Sequence, residues 1–172
     1  MTRRERLRRV AILCCVCVRN LAYYRAGWDQ GDTLFDSGSN IERTINCNFL
    51  DIAVIEWCKL FVPNEKHAWI KIVSEKDKFQ AGLFADLGVT GAEFATFLSE
   101  IKTYRDKFIA HLDSQKDMQV PLMDTVEHAA IYYYGYLLRY ENDGTTFEDG
   151  PSNLAEYYRN CLDEGRMYYR TR

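Results

Sequence analysis

The sequence has little of what many enzyme classes need. It has only three histidines and three prolines in 172 residues, and its longest stretch without charged or amide side chains covers residues 128–138. A membrane-spanning helix needs about 20 apolar residues, so we expect no membrane contact. Motifs of the G-x-G-x-x-G, P-loop, serine-nucleophile and H-E-x-x-H types are all missing. The classical nucleotide folds, serine hydrolases and zinc proteases are therefore unsupported, and we expect no cofactor and no metal.

The composition nevertheless predicts a folded protein. Hydrophobic residues make up 47% and charged residues 27% of the chain, which excludes intrinsic disorder, and the length fits a single domain over residues 1–172. The net charge is −3, yet residues 1–28 contain seven arginines and one acid. Such a basic amino end could contact an anionic partner, but a solvated helix face is the ordinary alternative and the one we favour.

The six cysteines form no convincing metal or disulfide framework. Cys14 and Cys17 give one C-x-x-C pair inside an apolar run, with no second pair and no H-x-x-x-H partner. Zinc binding or redox chemistry is the alternative. We favour buried, reduced thiols in a cytoplasmic protein.

Hydrophobic periodicity and capping residues predict helices throughout. Ser39, Thr90 and Asn153 each precede a glutamate by three residues, the arrangement of a capping box. The helices predicted from such signals cover residues 39–62, 90–112 and 153–169, with shorter ones at 64–73 and 77–87, another beginning at Pro121, and one near the amino end. No hairpin turn is predicted, and 113–119 and 141–152 are expected loops. The fold class is all-α, an antiparallel bundle of about five long helices.

Apolar stripes identify the faces that should be buried. The stripe near the amino end consists of Leu7, Ala11, Cys14, Val18 and Leu21. The stripe after Pro121 consists of Leu122, Val126, Ala129, Tyr133, Leu137 and Tyr140. The stripe near the carboxyl end consists of Leu154, Tyr158, Cys161, Gly165 and Tyr168. Gly165 inside a helix suggests a close helix crossing or an interface. The twelve tyrosines could stack on RNA bases, although packing with the hydroxyl in solvent is the ordinary role.

One stripe is interrupted by polar residues. In the helix predicted at 90–112, Arg105 occupies a position where the period requires an apolar side chain, and His111 lies at the edge of the same face. Such groups are tolerated on a packing face only when they are paired or reach a wet cleft. A histidine can move protons at neutral pH, and an arginine can hold phosphate. Together they could cleave RNA without a metal, with Asp106 orienting either group.

The segment at residues 104–113, Tyr-Arg-Asp-Lys-Phe-Ile-Ala-His-Leu-Asp, resembles the HEPN superfamily, and in particular its abortive-infection type. Arg105 and His111 match the R-x(4–6)-H motif of that family. The resemblance implies an all-α bundle, a homodimer with the motif at its cleft, and metal-independent endoribonuclease activity. It further implies a toxin or antiviral role, in some members with a nucleotidyltransferase-like antitoxin. Arg105 and His111 would be catalytic and Asp106 a supporting polar residue.

Two questions remain open at the level of sequence. Six residues of regular helix separate Arg105 from His111 by about 120° and about 9 Å, so either the helix distorts or ends, or a dimer closes the gap. The competing interpretation is a non-catalytic interaction or RNA-binding module, in which Arg105 pairs with Glu127 or Asp124 and His111 caps a helix. His67 and His128 are expected to be surface or satisfied histidines.

Overall fold

The computed structural model describes residues 1–109, 120–142 and 147–171, apart from the side chains of Phe108 and Ile109. The described residues are mostly helical, as predicted. In chain order they form α1 (Arg3–Ala26), β1 (Trp28–Asp29), β2 (Asp32–Thr33), α2 (Asn40–Phe61), α3 (Trp69–Ile72), α4 (Lys76–Leu87), α5 (Gly91–Tyr104), a π-helical turn (Arg105–Ile109), α6 (Met123–Tyr136), a second π-helical turn (Leu137–Glu141) and α7 (Leu154–Arg170). Within these ranges no single helix has both the length and the apolar character for crossing a membrane. The segments Lys76–Leu87 and Gly91–Lys107 reach that length and apolar character only when taken together, and an 84° bend separates them.

The three predicted capping residues begin helices where expected. Ser39 accepts a hydrogen bond from the Glu42 amide at the start of α2, and Asn153 caps α7 in the same way. Thr90 caps α5. Helix α2 ends at Phe61, close to where the sequence predicted, because proline at position 63 disfavours helical geometry in the residue before it.

Other predicted boundaries are wrong. The helix expected at 64–73 is reduced to the four residues of α3, because residues 62–68 form two consecutive turns instead. The amide of Glu65 donates to the carbonyl of Val62 at 3.0 Å, and the amide of Ala68 donates to the carbonyl of Glu65 at 3.4 Å. Helix α6 begins at Met123, so Pro121 precedes the helix instead of lying in its first turn.

A short hairpin was not predicted. Strands β1 and β2 pair antiparallel, and the turn between them has φ of 50° at Gln30 and 94° at Gly31. Positive φ at both turn residues is the type I′ geometry, which suits a two-residue hairpin. Its flanks have no apolar alternation. The hairpin is anchored by the indole of Trp28, which donates to Asn46 of α2 at 3.1 Å.

Helix α1 is the centre of the packing. It contacts α2, α6 and α7, while α4 packs on α6, and α5 on α2. All five residues of its predicted stripe are buried. Trp57 of α2 stacks on Phe61 with ring centroids 4.6 Å apart, which extends the core toward α5. The close crossing predicted at Gly165 is between α7 and α1, since a Cβ there would lie 2.6 Å from the Cβ of Ala26.

The ends of two predicted stripes lie outside the core. Leu122 is 76% exposed, and Tyr140 and Tyr168 are also exposed. The tyrosines of α6 were expected to pack with their hydroxyls in solvent. Several of these hydroxyls instead donate hydrogen bonds to main-chain carbonyls. The Tyr134 hydroxyl donates to the carbonyl of Pro151 at 2.7 Å, and that of Tyr132 donates to the carbonyl of Phe79 at 3.2 Å. These bonds tie α6 to the segments beside it.

Candidate functional site

Helix α5 brings Arg105 to the point where α-helical geometry ends. The helix begins with a reciprocal capping box, in which Thr90 Oγ1 accepts from the Glu93 amide at 3.2 Å and Glu93 accepts from the Thr90 amide at 2.7 Å. Phe94, Phe97 and Ile101 then bury one face against the core. The residue that continues this face is Arg105, whose side chain is half-buried. The helical stripe therefore carries a cation to the rim of the core.

Two carboxylates hold the Arg105 guanidinium. Its Nε donates to Asp106 Oδ1 at 2.8 Å, and its Nη1 donates to Glu65 Oε1 at 3.3 Å. The hydrogen bond to Asp106 is the main cause that raises the pKa of Arg105 above its ordinary value. Glu65 belongs to the turns at 62–68, so Arg105 links the end of α5 to the segment that follows α2.

A buried thiol, that of Cys58, lies near the Arg105 guanidinium. Burial raises the pKa of Cys58 of α2 to about 12, and the neighbouring charge of Arg105 acts in the opposite direction without reversing the shift. Cys58 is therefore a neutral thiol at physiological pH. The guanidinium has protein on one side and retains a solvent-facing side, with 21% of the side chain exposed.

The helix changes geometry between the two residues of the motif. Arg105–Ile109 forms a π-helical turn, so the separation expected for a regular α-helix does not apply across it. Of the two alternatives raised by the sequence, a helical distortion is present. His111 itself, the second predicted catalytic residue, lies outside the described residues, as do Leu112 and the loop predicted at 113–119.

The acids proposed as structural partners of Arg105 bind another arginine. Arg25 of α1 forms ion pairs with Asp124 and Glu127 of α6, and its Nη1 also donates to the Tyr158 hydroxyl at 2.8 Å. The alternative that Arg105 pairs with Asp124 or Glu127 is therefore wrong. Arg25 forms a polar network between α1, α6 and α7, which sequence reasoning missed because it assigned both acids to Arg105.

The other two histidines differ in their exposure to solvent. His128 is exposed, in line with expectation. His67 is half-buried, and its Nδ1 is a buried atom without a hydrogen-bond partner among the described residues. Its partly exposed position in a turn fits the surface histidine that was one of the two expectations, although this nitrogen is not satisfied by the described residues. No local pattern in the sequence marks this feature, because Arg6 and Arg9, two of the cations near His67, come from α1.

The cysteines are mostly core residues. Cys14, Cys17, Cys58 and Cys161 are buried, as predicted, whereas Cys47 is exposed. Burial raises the pKa of both Cys14 and Cys17, which disfavours the thiolates that zinc requires. Over residues 1–109, 120–142 and 147–171, no three His, Cys, Asp or Glu residues are grouped so that they could hold a metal ion.

Comparison with known proteins adds no assignment. No protein-family model matches the chain, and no curated protein or solved structure matches it either. The functional interpretation therefore depends on residues 104–113 and on the site around Arg105.

Proposed function

We propose that this protein is a metal-independent endoribonuclease of the HEPN type. It acts in the cytoplasm in a toxin–antitoxin or phage-defence setting, as an antiparallel helical bundle that forms a homodimer. The observation that carries the proposal is the position of Arg105, a half-buried cation at a π-helical turn, oriented through its Nε by Asp106 at 2.8 Å. Distortions of this kind occur frequently at functional sites.

The chemistry assigns one role to each residue. His111 removes the proton of a ribose 2′-hydroxyl or supplies one to the leaving oxygen, because an imidazole titrates near neutral pH. Arg105 holds the scissile phosphate and stabilises the additional negative charge of the transition state. Asp106 fixes the guanidinium so that its remaining donors face the substrate. Two copies of the motif meet in the cleft of the dimer.

Glu65 is the ion-pair partner of Arg105 that an RNA phosphate would replace. Its contact with Arg105 is 3.3 Å long, compared with 2.8 Å for Asp106, and its side chain is 40% exposed. Charge-assisted hydrogen bonds to phosphate are shorter than this and can be bidentate. A phosphate can therefore displace Glu65 while Asp106 remains bound, so the ion pair is compatible with a resting state of the site.

A second candidate is a non-catalytic interaction or RNA-binding module. The observation that favours it is the same pair of carboxylates, since Arg105 with Asp106 and Glu65 carries a net charge of −1 and could be purely structural. In this case the protein would bind RNA or a partner, such as a nucleotidyltransferase-like antitoxin, without cutting RNA.

Single-turnover cleavage of RNA in EDTA separates the two candidates. If the protein is a nuclease, His111→Ala lowers the rate by about 100-fold or more, the usual contribution of a general acid or base. Arg105→Ala lowers it by a similar factor, as expected for loss of a charge-stabilising donor. Arg159→Ala on the exposed face of α7 is the control and leaves the rate unchanged. Equal rates in all four proteins would remove the catalytic assignment.

The assembly is tested separately. Sedimentation at micromolar concentration should report a dimer, because the proposed cleft needs two copies of the motif. A strict monomer under these conditions would remove the composite site.

A further inference from the structure

A basic surface lies where the first turns of α1 meet the turns at 62–68. Arg6 and Arg9 are three residues apart on α1 and therefore share a face. Lys66 and His67 come from the turns, and Lys71 from α3. We call these five residues the His67 surface. They come from two segments about 60 residues apart in sequence, which the fold brings together.

Residues of the His67 surface line two open cavities. One has a volume of about 240 Å³ and is lined by Met1, Arg6, Lys66, His67 and Lys71. The other has a volume of about 160 Å³, and it shares Arg6 and Lys71 with the first. A water molecule occupies about 30 Å³ of liquid, so each cavity has room for a group larger than water. Two adjacent cavities with shared cations suit an anion that repeats along a chain.

Most cations of this surface have no carboxylate partner among the residues that the structure describes. Within the described parts of the chain, Arg6, Arg9 and Lys66 form no ion pair with a carboxylate. Other arginines of the same helix do, since Arg3 pairs with Glu141 and Arg8 with Asp149. Arg3 and Arg8 thus link α1 to other segments of the fold, whereas Arg6 and Arg9 belong to the His67 surface.

The pKa of His67 is affected by these cations. Burial is the main cause that lowers its pKa, and the neighbouring cations Arg9, Lys59, Arg6 and Lys66 lower it further. Its buried Nδ1 has no partner among the described residues. An anion in the adjacent cavity would favour the protonated imidazole and would reverse the effect of the cations.

We propose that the His67 surface binds the phosphate groups of single-stranded RNA. The choice of RNA rests on the proposed function. The binding chemistry stands on the cavities and cations themselves, because unpaired arginines and lysines are the groups that contact nucleic-acid phosphates. The surface and the nuclease motif are connected through one segment, since Glu65 contacts Arg105 and the next two residues belong to the His67 surface. RNA bound here would lie along the segment that contains Glu65, the partner of Arg105.

Binding is measured with 2′-O-methyl RNA, which lacks the hydroxyl that cleavage requires, so the result does not depend on catalysis. Arg6→Glu and Lys66→Glu should each weaken binding by about tenfold, the effect of losing a charge-assisted hydrogen bond. Each should also flatten the slope of log K against log[salt] by about 0.7, the value for one single-strand phosphate contact. Arg159→Glu makes the same change of charge on α7 and should have a much smaller effect.

A second readout places the RNA at the surface. The imidazole resonances of His67, followed by NMR over a pH titration, should show a higher pKa in the presence of the 2′-O-methyl RNA. The proposal is overturned if Arg6→Glu and Lys66→Glu behave like Arg159→Glu, or if inorganic phosphate moves the His67 resonances and RNA does not. Arg105→Ala, which tests the nuclease, should leave this shift in place, so the two proposals fail separately.

Discussion

Arg105 contacts two carboxylates that have opposite consequences for the proposed reaction. Asp106 is its sequence neighbour and holds Nε at 2.8 Å, whereas Glu65 approaches Nη1 from another segment at 3.3 Å. In the proposed reaction, Asp106 would orient the guanidinium, and Glu65 would occupy a donor that the scissile phosphate needs. The same ion-pair geometry thus predicts different effects for the two neutral substitutions.

Glu65→Gln should raise kcat/KM for RNA cleavage by up to about fivefold. The reason is that Glu65 competes with the phosphate for Arg105, and a partly exposed ion pair contributes only about 0–1 kcal/mol. Asp106→Asn should lower kcat/KM, because the guanidinium loses its orienting partner. Steady-state kinetics in EDTA measures both, with Glu148→Gln on an exposed loop as the charge control. A decrease for Glu65→Gln would mean that this carboxylate supports the reaction.

His67 predicts a pH dependence of stability. Its pKa is below the ordinary value of 6.5 in the folded protein, because of burial and the nearby Arg9, Lys59, Arg6 and Lys66. The folded state therefore binds fewer protons than the unfolded state once the pH falls below about 6.5, and stability is lost as the pH falls toward the folded pKa.

Urea unfolding at pH 8 and pH 5.5 measures this effect. The wild-type protein should lose more unfolding free energy between the two pH values than His67→Gln does. A loss of equal size in the two proteins would show that this imidazole does not titrate differently on folding.

At the scale of elements, helices were predictable where local chemistry fixes their ends. Thr90 and Asn153 are capping residues that act within three positions of themselves, and α5 and α7 begin directly after them. The sequence raised a distortion between Arg105 and His111 as one alternative, but neither π-helical turn could be located, because no Gly or Pro lies within it. The type I′ hairpin was missed because its strands are two residues long and lack an apolar pattern.

Glycines in two helices give a matched test of packing. A Cβ at Gly165 of α7 would lie 2.6 Å from the Cβ of Ala26, whereas a Cβ at Gly135 of α6 would meet nothing within 4 Å. Gly165→Ala should destabilise the protein by about 1–3 kcal/mol through overpacking. Gly135→Ala should stabilise it by about 0.5–1 kcal/mol, because alanine is the better helix former.

Chemical denaturation of the two glycine variants provides the comparison. If Gly165→Ala were as stable as Gly135→Ala, the close crossing of α1 and α7 would be wrong.

At the scale of the whole molecule, the candidate site was predictable only in part. Arg105 was identifiable because it breaks an apolar stripe within its own helix. Its partner Glu65 is 40 residues away, and the His67 surface joins residues from α1, α3 and the turns at 62–68. Such contacts are set by tertiary packing, which a single sequence does not encode as a local pattern. The two acids assigned to Arg105 were misassigned for the same reason.

The network around Arg25 should be a principal electrostatic contribution to the tertiary structure. Arg25 is partly buried and bonds to α6 and α7 at once, through Asp124, Glu127 and Tyr158. Arg25→Ala should lower the free energy of unfolding by about 1–3 kcal/mol, because Glu127 is left largely buried and without its partner. Arg8→Ala on the same helix removes an exposed pair with Asp149 and should change it by no more than about 1 kcal/mol.

Urea denaturation measures the two arginine variants side by side. Similar losses for Arg25→Ala and Arg8→Ala would contradict the role of the network in joining α1, α6 and α7.

The central claim is that this helical protein cuts RNA through the 2′-hydroxyl without a metal. In that reaction the 2′ oxygen bonds to phosphorus, the bond to the 5′ oxygen breaks, and the leaving oxygen takes up a proton. Mass spectrometry of RNA incubated with the protein in EDTA tests it most directly. We predict products with 2′,3′-cyclic phosphate and 5′-hydroxyl ends that are lost in Arg105→Ala. Intact RNA, or products ending in 5′-phosphate, would contradict the claim.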